Sequence, residues 1–198
     1  MPAVRATTST LEAMKTGRIT FPGNPWPEGH ALKQFRWSAE RRGDDIWFHF
    51  HLETENYYAE RDIEDEDDDY PSDWEAPGVW GNYHSCIISS DHWHQGGFRG
   101  CSLGQFAPEL VDGLKLHVDP PPYDLEEDYE ARAFHIYLLG HDSVADHKIV
   151  FSRAEGADLF DITWEGKIAL TYAGNYEAKH RFHAEIKGVT FPKVPDGA

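Results

Sequence analysis

Apolar and polar residues alternate with a period of two along much of this chain, and residues 46–54 show it most clearly. Ile46, Phe48, Phe50 and Leu52 fall on one face of an extended segment, and Trp47, His49, His51 and Glu53 on the other. Similar alternation or short apolar runs predict strands at 17–21, 31–38, 83–89, 114–118, 131–139, 147–152, 159–164, 167–172 and 177–191. Turns are predicted at 41–44, at Glu165-Gly166 as a two-residue hairpin, and at 173–175. Prolines 22, 25 and 27 exclude helix and central strand from that stretch, leaving an extended loop. Pro108 suits the first position of a single helical turn over 108–113. Residues 90–104 are glycine-rich and give no clear element.

About ten short strands, a C-terminal meander and very little helix predict an all-β fold. The natural architecture is a two-layer antiparallel β-sandwich, jelly-roll-like. A single domain is expected over 14–192, with an acidic loop at 60–78 and loose tails at 1–13 and 193–198. The 198 residues, 40% hydrophobic and 14% aromatic, suffice for one sizeable core. No apolar run approaches the roughly 20 residues that span a bilayer. The first ten residues lack the apolar stretch of a secretory signal. A cytoplasmic location is the resulting expectation, with Cys86 and Cys101 reduced.

Charge changes the picture. The formal net charge is −17, and it is concentrated: residues 53–130 hold 21 acidic and 3 basic side chains. Two bursts dominate, residues 60–75 and 124–130. Such a field repels nucleic acid and anionic lipid, and attracts basic proteins or cations. One functional expectation follows: a non-enzymatic protein-binding module, immunity- or inhibitor-like, that engages a basic partner. Its contact residues would be Asp65, Asp67, Asp68, Asp69, Asp73 and Glu75, with Tyr70 and Trp74 as aromatic anchors.

Histidine is the other compositional oddity, with twelve in the chain. Two imidazoles two positions apart on a strand project the same way, about 7 Å apart, close enough to share an ion. The segment Gly43-x5-His49-x-His51-x3-Glu55 resembles the first metal motif of the cupin superfamily. The resemblance implies one divalent metal, iron, manganese or zinc, held by His49, His51 and Glu55 with a later histidine, here His84. It would make the chain a metal-dependent enzyme or a sugar-binding protein. Departures are Asp62 where that family has glycine and Ile88 where it has asparagine.

Three weaker patterns remain. His92 and His94 flank Trp93 as a second imidazole pair. Asp65, Asp67 and Asp69 open like a calcium loop, but Tyr70 occupies the glycine position and Ala76 that of the bidentate glutamate, leaving weak calcium binding as the expectation. Gly100-Cys-Ser-Leu-Gly104 matches the nucleophile elbow of α/β-hydrolases, without the alternating β and α segments that motif requires. Independently of function, histidines buried in neutral form would make folding stability fall below about pH 6.5.

Overall fold

The computed structural model describes residues 17–60, 69–93, 95–127, 129–154 and 158–194. The N-terminal tail expected at 1–13, Asp65, Asp67, Asp68 and His94 lie outside the described residues. The strands are β1 (Gly17–Thr20), β2 (His30–Arg42), β3 (Asp45–Thr54), β4 (Ile87–Ser89), β5 (Phe98–Ser102), β6 (Lys115–Val118), β7 (His135–Tyr137), β8 (His141–Arg153), β9 (Leu159–Ala169) and β10 (His180–Thr190). Two short helices, α1 (Pro77–Gly81) and α2 (Pro108–Val111), each begin with proline.

The fold is all-β, as the alternation implies, but the sheet is a closed barrel and not a two-layer sandwich. Eight strands follow one another in the order β2-β1-β10-β9-β8-β7-β4-β3, and β3 returns to β2. The seam is β1. Its Ile19 pairs with Ala184 of β10 on one side and His30 of β2 on the other. Arg18 fastens that seam by donating to the carbonyls of Glu28 and Gly29 at 2.9 Å and to the Glu60 carboxylate at 2.6 Å. Alternation separates inward from outward residues in sandwich and barrel alike. Closure rests on the pairing of one four-residue strand, which no periodicity encodes.

The interior is filled, as expected for a ring of eight strands. Phe48 and Phe50 of β3 meet Phe151 of β8, and Phe50 meets Trp164 of β9 at 5.5 Å between ring centroids. Trp37 of β2 joins them through Phe151 and Phe160. A second aromatic group, Phe21, Trp26, His30, Tyr57, Trp74 and Trp80, packs beside the β1–β2 junction. The proline-rich loop at 21–29 supplies two of these rings, so its irregular backbone is tied into the core.

The C-terminal meander differs from expectation chiefly at its expected hairpin. Glu165-Gly166 is no hairpin turn; β9 runs straight through it from Leu159 to Ala169. A Cβ on Gly166 would stand 2.5 Å from the Phe182 ring, so glycine here makes room for an aromatic neighbour. The turn at 43–44 is real, with Gly43 at φ +62°. The strands expected at 83–89 and 131–139 shrink to 87–89 and 135–137. The one expected from 147 begins instead at His141.

The barrel wall is uneven. β3 pairs with β4 through His51–Glu53 and with β5 through Asp45–Phe48. β8 pairs with β7 through its first two residues and with β6 through residues 147–150. β5 and β6 do not pair with each other, so the wall parts between them.

Candidate binding surface

The two acidic bursts, some fifty residues apart in sequence, both attach to the segment that joins β9 to β10. Asp73 accepts a 2.6 Å hydrogen bond from the Tyr172 hydroxyl. Leu125 is buried in a small apolar cluster with Ala145 and Ala169, and Tyr123 and Ala178 pack against it. Asp73 thus ties the first burst to Tyr172, and Leu125 ties the second to Ala145 and Ala169, against which Ala178 also packs. Asp69, Asp73, Asp124, Glu126 and Glu127 are exposed. Asp124 also folds its own segment, its Oδ1 accepting from the backbone N–H groups of Glu126 and Glu127. The Tyr172 hydroxyl is held protonated well above its ordinary range, first by burial and then by its bond to Asp73. That keeps it a donor to the carboxylate.

Of the expected aromatic anchors, Tyr70 is partly exposed while Trp74 is buried at 2% exposure. Its indole N–H donates to the Pro22 carbonyl, and its ring stacks on His180 at 3.9 Å. Trp74 therefore holds the acidic segment to the barrel and offers no ring to a partner. An aromatic residue inside a charged run reads as an anchor in sequence; here the neighbouring proline loop claims it. Tyr172 and Leu125, which fasten the two segments to the barrel, carry no sequence signal for that role.

The histidines divide into inward and outward groups. His49 and His51 do project from the β3 face opposite Phe48 and Phe50, as their alternation implies. His51 lies against Ser89, with Nδ1 3.2 Å from its hydroxyl, and against the His92 ring at 5.4 Å. His49 Nε2 lies 3.7 Å from Glu40. Glu55 and His84 are exposed in the loops that follow β3 and α1, and His84 has φ +65°. Among the described residues no group of three His, Cys, Asp or Glu side chains is placed to hold a metal ion. Ser102, the serine of the Gly-x-Ser-x-Gly pattern, hydrogen-bonds to Gln105 within a 3-10 turn.

Several imidazoles are buried and neutral. Burial lowers His30 to about 4 and His147 to about 3, and it also lowers His51, His135 and His180. Asp142 moves the other way, raised by burial to about 6 although backbone N–H groups of Leu139 and Tyr172 bond to it.

In comparisons with protein-family models, curated proteins and solved structures, nothing matches this chain. No helix among the described residues is long and apolar enough to cross a membrane.

Proposed function

We propose that this chain is a non-enzymatic binding module that presents an acidic surface to a basic protein. The observation that carries this reading is that both acidic bursts are fastened to the barrel, the first by Asp73 to Tyr172 and the second by Leu125 to Ala145 and Ala169. Carboxylates gathered on a rigid barrel act together: they steer a cationic partner into encounter and repel anionic competitors. The filled aromatic core supports the same reading, because a rigid scaffold spends little conformational entropy when it binds. The described contacts are Asp69, Tyr70, Asp73 and Glu75 from the first burst, joined by Glu126 and Glu127 from the second. Steering makes association sensitive to salt. With a purified partner, stopped-flow association should slow by about tenfold or more between low and high ionic strength. A rate insensitive to salt rejects the proposal.

A further inference from the structure

Where β5 and β6 part, a cleft of about 740 Å³ opens between Trp93 and residues 95–99 on one side and residues 129–135 on the other. That volume lies within the range of small-molecule sites. Trp47, Trp93 and Tyr129 line it, and each ring has a side chain packed against it, Arg132 lying 5.5 Å over Tyr129. The Arg42 guanidinium lies 4.2 Å from the Trp47 ring, His135 lies 4.1 Å from Tyr129, and His92 meets Trp93 edge-on. His135 is itself held by Gln95 at 2.8 Å and by the Tyr129 carbonyl at 2.8 Å. The rings therefore stand in place before any ligand arrives.

The polar lining carries both signs. Arg99, which pairs with Asp45 at 2.9 Å, and Arg132 line the cleft together with Asp119 and Glu130, and His135 is kept neutral by burial. Asp119 is the informative member. It follows β6 in a left-handed conformation, φ +49°, which a non-glycine residue adopts at a cost. Its carboxylate accepts from the backbone N–H groups of Ala133 and Phe134. Its carbonyl accepts from the N–H of Asp146 at 2.8 Å, where β8 is bulged and Asp146 is also left-handed. Among the described residues the one basic side chain within 4 Å of this carboxylate is His147, at 3.9 Å.

His147 does not neutralise it. The ring is fully buried, and the Trp164 indole N–H donates to its Nδ1, which places the imidazole proton on Nε2. That Nε2 has no hydrogen-bond partner. A buried donor thus stops short of a carboxylate whose hydrogen bonds come from the backbone and on which the Arg132 guanidinium acts electrostatically. An acceptor of this kind, held by the backbone in a strained conformation at the edge of an aromatic cleft, is suited to ligand hydroxyls.

We propose that this cleft binds a neutral saccharide. Pyranose C–H faces stack on indole and phenol rings. Sugar hydroxyls donate to Asp119 and Glu130 and accept from Arg99 and Arg132. A charged ligand would gain from one pair of side chains and be opposed by the other, whereas a neutral polyol uses both. This inference is independent of the acidic surface, although Tyr129 and Glu130 belong to the second acidic burst. The test is isothermal calorimetry of the full chain with maltotriose, cellotriose, xylotriose, mannotriose and chitotriose, each to about 10 mM. Saturable binding of at least one is expected, weakened tenfold or more by Asp119→Asn and by Tyr129→Ala. Tyr129 is 39% exposed, so its replacement tests the site even where Asp119→Asn fails to fold. No saturable binding of any probe, or binding that Tyr129→Ala leaves intact, would overturn the proposal.

Discussion

Lowering the pH from 7.5 to 5.5 should destabilise this barrel by about 2 kcal/mol, and the sum follows from three buried groups. His30 and His147 are 3% and 0% exposed and titrate in the fold at about 4 and about 3, against an ordinary 6.5. A histidine whose folded pKa is depressed stays neutral in the fold while the unfolded chain takes up its proton. Its stabilising effect is complete above 6.5 and is lost as pH falls toward the folded value. At pH 5.5 neither folded value has yet been reached, so each loss is set by the unfolded value alone, about 1.3 kcal/mol per histidine. Asp142 acts in the opposite sense: with a folded value raised to about 6, it gains a proton in the fold first. That returns about 0.8 kcal/mol at pH 5.5. His51, His135 and His180, all lowered by burial, add to the loss. Urea denaturation at the two pH values measures this directly. With a slope of about 2 kcal/mol/M, the midpoint should fall by about 1 M. A stability unchanged to within about 0.5 kcal/mol would refute the reasoning, because it would require the interior imidazoles to charge at no cost.

Two changes test the barrel itself. Gly166→Ala should cost about 1–3 kcal/mol in urea denaturation, because its Cβ would fall 2.5 Å from Phe182; an unaffected midpoint would mean that β9 and β10 yield there. Arg18→Met should lower stability by about 1–2 kcal/mol, through loss of the charged donor to the Glu28 and Gly29 carbonyls, and should increase hydrogen exchange at β1. Exchange unchanged at Ile19 would show that the seam holds without it. Tyr172→Phe should leave the core intact but release Asp73, increasing proteolytic cleavage near residues 69–75. Cleavage equal to that of the unaltered chain would show that this hydrogen bond does not hold the acidic segment.

The strands were legible wherever apolar and polar side chains alternate between the two faces. The 46–54 alternation appears in the structure as Phe48 and Phe50 inside, and His49 and His51 outside. Closure was not legible, because β1 has four residues and its two partners lie 11 and 165 positions away at Ile19. Gly166 reads as a turn glycine in sequence, since nothing local reveals the Phe182 ring above it. Trp74 likewise looked presentable amid carboxylates until the 21–29 loop and His180 covered it. The cleft was illegible for a different reason. Trp47, Asp119, Tyr129 and His147 come from four separate segments, and a β-bulge at Asp146 sets the last of them inward. Bulges and left-handed aspartates have no periodic signature. Charge asymmetry, by contrast, is a property of the sequence itself, and the fold adds only how each burst is fastened to the barrel.

The most direct test of the acidic-surface account compares proteins retained from a lysate at low salt by the unaltered chain and by a charge-neutralised one. The variant carries Asp65→Asn, Asp67→Asn, Asp68→Asn, Asp69→Asn, Glu126→Gln and Glu127→Gln, which spares the carboxylates of Asp73 and Asp124 that bond within the fold. The account predicts a basic protein retained in a stoichiometric complex by the unaltered chain and lost from the variant, with both chains equally folded by circular dichroism. A partner held equally by both, or no protein retained selectively by the unaltered chain, would contradict it.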